Sequence, residues 1–257
     1  MSYAFLFPKS MLTSKVDEAF ADQYAALKAA GHPCAIINEN KITGDSLVGH
    51  KVVYRGWMMD ATTYGRLCDA IYAAGGHPFT SMLDYLSCHH LPNWYPYLKG
   101  LTPETAFFPK GCDIEAEITK LDWGWVFIKD YVKSNKSALG SVVSRPDQAP
   151  DIVAEMVKFR GHIEGGLCVR RFVPTNHELR FFVLNGKVHH HVHSFSDVSY
   201  VALAHDVAKL IPALFYSIDI AMSMDGAQVP VVVEIGDGQV SDIVGWTPEQ
   251  FAKIWEE

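Results

Sequence analysis

Apolar residues along this chain fall into two patterns. Some form short runs bounded by Gly, Pro or Asn-Gly, and others return every third or fourth position; the first pattern predicts strands and the second helices. Tyr3–Phe7 is an apolar run ended by Pro8, and Val16–Ala30 has helical spacing that stops at Gly31. Ala35–Asn38 and Lys51–Arg55 read as strands, and Ala61–Ala74 as a helix ending at Gly75-Gly76. That order predicts a small α/β layer with parallel strands, and a boundary near His77-Pro78 divides the chain into residues 1–77 and 78–257. His77–Phe108, rich in Pro, Tyr, Trp and His, reads as an irregular connector with one or two short helices.

The second part alternates in the same way. Asp113–Leu121 predicts a helix capped by Asp113, followed by a strand over Trp125–Val132, a loop over 133–140 and a strand over Ser141–Val143. A helix over Asp151–Arg160 and a strand over Gly166–Val173 come next, and Pro174-Thr175-Asn176 breaks that strand. Glu178–Leu184 and Lys187–His193 flank Asn185-Gly186, a strong two-residue hairpin signal. After an amphipathic helix over Tyr200–Leu214, strands Tyr216–Ala221 and Val229–Ile235 join across Met224-Asp225-Gly226, and Thr247-Pro-Glu-Gln opens a last helix with a capping box.

The chain is organised around those last two strands. Each is apolar except for one carboxylate, Asp219 in the first and Glu234 in the second, and Gly236-Asp237-Gly238 follows. A carboxylate in an apolar strand requires compensation. Two on neighbouring strands repel, so a cation between them is the economical explanation; the alternative is a polar strand end facing water. Hard oxygen ligands suit Mg²⁺, which usually arrives with substrate phosphates. Lys129 lies in the middle of a strand, where it either snorkels outward or points at an anion. The loop after it, beginning at Lys133, has small residues, hydroxyls and lysines suited to closing over phosphates, or it is a solvated hairpin tip. It lacks the GxxxxGK[ST] pattern of a P-loop. Arg55 ends a strand in VVYRGWMM, either facing a ligand crevice or making a structural salt bridge.

Glu178, Arg180 and Phe182 are two apart and share a face. The Asn-Gly turn sets Arg180 opposite His191 and Glu178 opposite His193, so His189, His191 and His193 share that face. Alternate histidines on one strand diverge too far for easy chelation, which favours a polar pocket-lining strand over a zinc site. Cys88-His89-His90 has no second ligand cluster at a recognised spacing.

With 257 residues, 49% hydrophobic and 12% aromatic, the chain has ample material for a core. A net charge of -7 argues against nucleic acid as the main partner. Five scattered cysteines without a CxxC pair suit a reducing compartment. No apolar window reaches a membrane span, and the N-terminus lacks signal-peptide features, so a cytoplasmic location is expected.

Taken in order, the strand lysine Lys129, the loop after it, the strand Val169–Val173, Glu178 with Arg180, and Asp219 with Glu234 resemble the ATP-grasp superfamily of carboxylate–amine ligases. Within it, the chain is most similar to the compact phage- and bacteria-associated clade named for one arginine and two lysines. The resemblance implies an α/β (α+β) ATP-grasp fold over roughly 105–245, preceded by a small α/β pre-ATP-grasp domain, with ATP and Mg²⁺ as cofactors. It implies that Lys129 reaches the α- and β-phosphates and that Lys133 is the second lysine. Val169, Arg170, Arg171, Phe172 and Val173 would line the adenine through their backbone, and Glu178 would hold the ribose edge. Arg180 would face the γ-phosphate or acyl-phosphate, Asp219 and Glu234 would ligate Mg²⁺, and Arg55 with the histidines would recognise an acceptor. The sequence departs from the family in two places: Gly236 stands where relatives carry asparagine, so either Asp237 supplies the missing oxygen or one metal site is weakened, and Arg170-Arg171 stands where many carry acidic or amide residues. The implied reaction joins a small-molecule or peptide carboxylate to an amine. A phosphotransferase on the same fold and a non-catalytic nucleotide binder are the alternatives. Substrate identity and oligomeric state are not encoded in any of these features.

Overall fold

The computed structural model describes residues 2–135, 137–191, 197–226 and 228–256. The N-terminal runs form a five-stranded sheet of β1 (Tyr3–Pro8), β2 (Cys34–Asn38), β3 (Lys41–Gly44), β4 (Lys51–Tyr54) and β5 (His77–Pro78), in the order β3-β2-β1-β4-β5. All its pairings are parallel except that of β3 with β2. β5 sits at the expected boundary, so this layer closes at Pro78 rather than before it. Helices α1 (Ala21–Ala29) and α2 (Ala61–Ala73) flank the sheet, with Asp60 capping α2 through Thr63 N at 2.7 Å.

The connector is more ordered than its composition predicts. It holds α3 (Met82–His89), α4 (Leu91–Trp94) and a strand, β6 (Thr105–Pro109). β6 joins an antiparallel sheet, β6-β9-β7-β8, with β7 (Val126–Asp130), β8 (Val142–Val143) and β9 (Gly166–Arg171). Helices α5 (Ile114–Leu121) and α6 (Ala149–Arg160) cover one face, burying Ile118, Ile152 and Met156 against Val126, Ile128 and Val169. Asp113 caps α5 as its sequence predicts, accepting from Ala116 N at 3.1 Å.

The third sheet is antiparallel, β11-β10-β12-β13, with β10 (Thr175–Leu184), β11 (Lys187–His189), β12 (Phe215–Ser223) and β13 (Pro230–Asp237). Asn185 and Gly186 both have positive φ (51° and 79°), as the tight hairpin demands. Helix α7 (Val198–Ala208) buries Tyr200, Ala204 and Val207 on one face, beside Leu91 and Trp94 of α4. The opposite face of this sheet shares a core with the N-terminal layer: Phe182, Leu184 and Phe215 pack with Phe5, Phe7 and Val53. Phe251 of α8 (Pro248–Lys253) and Trp255 complete that core. Among the described residues no helix is long and apolar enough to cross a membrane.

Candidate active site

The register of the third sheet pairs Arg180 of β10 with Asp219 of β12, and Asp219 with Glu234 of β13. Directly opposed residues share a face, so the three side chains form one row across the strands. Arg180 grips Asp219 with its fork, Nε to Oδ1 at 2.7 Å and Nη2 to Oδ2 at 2.5 Å. At the other end of the row, Glu234 accepts from Nζ of Lys129, which reaches across from β7. Two adjacent carboxylates are thus each clamped from outside by a cation from the protein. Burial pushes the Asp219 carboxyl up despite Arg180, whereas at Glu234 burial is outweighed by the Lys129 ammonium and the carboxyl is held below its ordinary range.

Behind Lys129, Asp130 organises the following loop. Its buried carboxylate accepts from Val132 N at 2.8 Å, Lys133 N at 2.6 Å and Glu164 N at 3.1 Å, and it pairs with Arg160. Ser134 forms a bridge back to Lys129, and the exposed Lys133 stands at the mouth of the loop. Sequence reasoning missed Asp130; its signal was a carboxylate at the end of an apolar strand, immediately before a turn. His90 joins the same group by a 3.1 Å bond to Glu164, while Cys88 is buried in the core and His89 stacks on Tyr85.

Several expected site residues lie elsewhere. Arg55 is 1% exposed, and its guanidinium donates to Gln23 Oε1 (2.8 and 3.1 Å), to the Gly238 carbonyl and to the Ser241 carbonyl at 2.8 Å. It holds three segments together and presents no donor to a crevice. β9 is a central strand whose backbone pairs with β6 and β7, and Phe172 N donates to the Trp125 carbonyl at 3.0 Å, which leaves the Phe172 carbonyl and Val173, past its end, for backbone contact with a base. The side chain of Arg170 turns towards β13, and that of Arg171 lies 3.5 Å from Glu104. β11 stops at His189, which pairs with Phe182, so Arg180 and His191 are not ladder partners. The His191 ring instead packs edge-on to Trp246, with centroids 5.0 Å apart. His193 lies outside the described residues. Glu178, by contrast, stays beside the row: it is exposed at the register shift before Leu179 and near enough to feel the charges of Asp219 and Arg180.

Asp237 faces away from Glu234, because residues three apart on a strand point to opposite sides. It is 1% exposed, with Oδ1 accepting from Gln239 N at 3.0 Å and Oδ2 buried without a partner. Gly236 does share the Glu234 face, but a Cβ there would lie 2.6 Å from Ser241 Oγ and 2.9 Å from Ser217 Oγ, so two hydroxyls fill the space an asparagine would need. Burial raises the Asp237 carboxyl from 3.8 to about 7. A folded-state value above the unfolded one favours the protonated native state, so stability is greatest below the ordinary carboxylate value and falls as pH rises through about 7. Asp237→Asn is therefore expected to remove this slope and to stabilise the protein above neutrality by up to ~4 kcal/mol, read from urea unfolding at several pH values. Metal-dependent nucleotide binding is expected to survive that change.

Among the described residues no three His, Cys, Asp or Glu side chains gather to form a complete metal cage. Asp219 and Glu234 nonetheless offer the oxygen-only pair that Mg²⁺ takes when waters and phosphates complete its shell. The donor set fits a cation that arrives with a nucleotide.

No curated protein matches the sequence. Among solved structures, the fold is similar to a RimK domain ATP-grasp protein from Sphaerobacter thermophilus, with TM-score 0.62 and 17% identity over 99% of this chain and 100% of that one. It is also similar to the ATP-grasp ligase PsnB, solved with a minimal precursor, Mg and ADP (TM-score 0.63, 10% identity, 98% and 96% covered). D-alanyl-alanine synthetase A from Vibrio cholerae matches with TM-score 0.58 and 13% identity over 100% and 94% of the two chains. At these identities the likeness speaks for the fold, and the family is decided by sequence. The model of the ATP-grasp domain, family 3 of the clade named for one arginine and two lysines, matches residues 120–255, more than half of the chain and the part that carries Lys129, Arg180, Asp219 and Glu234; the chain belongs to that family.

Proposed function

We propose that the protein is an ATP- and Mg²⁺-dependent carboxylate–amine ligase that works through an acyl-phosphate and yields ADP, phosphate and an amide. The observation that carries this reading is the row Arg180–Asp219–Glu234–Lys129, in which cations from two sheets converge on two adjacent carboxylates. The likeness to the PsnB ligase and to a D-alanyl-alanine synthetase supports the reaction class.

In this reading Asp219 and Glu234 hold Mg²⁺, which when bound neutralises charge on the phosphates. Lys129 holds the α- and β-phosphates, Lys133 and its loop cover them, and Glu178 holds the ribose edge. Arg180 faces the oxygens of the transferring phosphoryl group. The substrate carboxylate takes that group from ATP, leaving ADP; the incoming amine then attacks the acyl carbon, the C–O bond to phosphate breaks, and free phosphate and the amide remain as the amine loses its proton. Little covalent chemistry is asked of the protein, because positioning and fixed charge supply the rate. The existing ion pairs keep Lys129 and Arg180 in place before any phosphate enters. The substrates are a small-molecule or peptide carboxylate and an amine.

The test is ADP and phosphate release from the purified protein with ATP and Mg²⁺, across paired amino acids and short peptides. Release is expected only when both a carboxylate and an amine are present, and it is expected to vanish in Glu234→Ala. A phosphorylated acceptor in place of an amide would instead assign a phosphotransferase, and tight ATP binding without any release would assign a nucleotide binder.

A further inference from the structure

Over the stretch where they pair, Pro230–Asp237 of β13 spends one residue more than Tyr216–Met222 of β12. Asp219 pairs with Glu234, but the next residue of β12, Ile220, pairs with Val232, which leaves Val233 as the extra residue of a bulge. On an uninterrupted strand Val232 and Glu234 would point the same way. Here Val232 is buried in the apolar cluster with Ile220, and Ile235 is buried in it too, while Glu234 turns to the face of Asp219. Without the bulge, either Glu234 enters the core or Val232 leaves it.

β13 is also an edge strand, with no further strand beside it to fix the bulge. Groups from outside the sheet replace one. Arg170 Nη1 donates to the Val233 carbonyl at 2.7 Å, and Arg170 Nη2 donates to Thr102 Oγ1 at 2.6 Å. Thr102 Oγ1 in turn donates to the Val232 carbonyl at 2.7 Å, and Val232 N donates to the Leu101 carbonyl at 2.8 Å. Arg170 is 6% exposed and its guanidinium lies 5.9 Å from the Trp94 ring centroid, a setting that holds it in one conformation. It shares the sheet face of Lys129, since Phe127 pairs with Arg170 and Lys129 with Cys168. One face of the second sheet therefore sends Lys129 to Glu234 and Arg170 to the carbonyl one residue before it.

Bulges beside active sites commonly re-aim a side chain. We propose that Arg170 is a positioning residue: by holding the Val233 carbonyl and Thr102 it fixes the bulge that turns Glu234 towards Asp219, and so sets the geometry of the metal-binding pair. This rests on the ligase reading above, in which that pair takes the cation. It also gives a physical reason for a basic residue at this place in β9, where its charge meets a backbone carbonyl and not the base.

The experiment titrates Mn²⁺ into protein saturated with ADP, read by electron paramagnetic resonance, alongside ADP affinity in EDTA by calorimetry. Arg170→Met is expected to weaken Mn²⁺ binding about 10- to 100-fold, as loss of an outer-shell support does, while metal-free ADP affinity stays within about threefold. Arg170→Lys, which keeps the charge but offers one donor nitrogen in place of the fork that reaches Val233 and Thr102 separately, should fall between Arg170→Met and wild type. Thr102→Val should shift Mn²⁺ in the same direction by a smaller factor. Wild-type Mn²⁺ affinity in the Arg170 variants would overturn the proposal, and so would an equal loss of ADP affinity with and without metal. If Arg170→Met does not fold, Arg170→Lys and Thr102→Val decide by the same criteria. A wild-type protein that binds neither Mn²⁺ nor ADP would overturn the ligase reading itself, a result distinct from wild-type binding with unaffected variants.

Discussion

Replacing Lys129 by methionine is expected to lower ATP turnover about 10³-fold while the protein melts no lower than wild type. The two parts of this result have separate causes. On the ligase reading, turnover falls because a fixed cation beside the phosphate oxygens is lost. Stability holds because the two partners of the ion pair are buried unequally, with 5% of the Lys129 side chain and 38% of the Glu234 side chain accessible. Once Lys129 is gone, water can reach Glu234, and methionine fills most of the aliphatic volume of the lysine stem. The opposite deletion has the opposite balance. Glu234→Ala leaves a buried ammonium without its counter-charge, which costs about 3 kcal/mol, so this variant should be both inactive and less stable. Thermal melts and ADP release on the two variants check the asymmetry. A Lys129→Met protein that turns over normally would remove Lys129 from the phosphate site.

Much of the third sheet was legible because its signals are local. Asn185-Gly186 between apolar runs sets a hairpin, and one carboxylate in each of two adjacent apolar strands had to be compensated. The expected compensation is a metal, whereas the protein itself supplies Lys129 and Arg180. What was hidden is long-range. Lys129 and Glu234 are 105 positions apart, and strand period says which face a side chain takes but not which sheet docks against it. The edge strands β5 and β6 fall in the Pro- and aromatic-rich stretch that reads as connector, and the short edge strand β3 gives no strand signal of its own. The bulge at Val233 is invisible inside the uniform run Val231-Val232-Val233. The orientation of Asp237 was available all along, since an odd separation from Glu234 on one strand places it on the other face. The alternating histidines misled for a related reason: their spacing continues past the point where β11 ends.

Arg55→Ala is expected to destabilise the protein by about 3–5 kcal/mol and to leave substrate KM unchanged in the molecules that remain folded. At roughly 2–4 °C per kcal/mol for a chain of this size, the melting temperature should fall by about 6–20 °C. The guanidinium joins α1 through Gln23 to the carbonyls of Gly238 and Ser241 beyond β13, and it lies over the Phe251 ring of α8 at 4.5 Å. Its removal strands three buried acceptors in two segments and opens a cavity in the aromatic core that the N-terminal layer shares with the third sheet. A residue gripping a substrate carboxylate would show the reverse pattern, a raised KM with an unchanged melting temperature. Arg55→Lys sharpens the contrast, because one ammonium cannot serve Gln23 and two separate carbonyls at once. That variant should recover only part of the lost stability, again without a change in KM. A raised KM in either variant at full stability would return Arg55 to the acceptor site. Gly238 and Ser241 flank the turn that follows the Glu234 strand, so this staple carries mechanical support from the N-terminal sheet to the strand that presents Glu234.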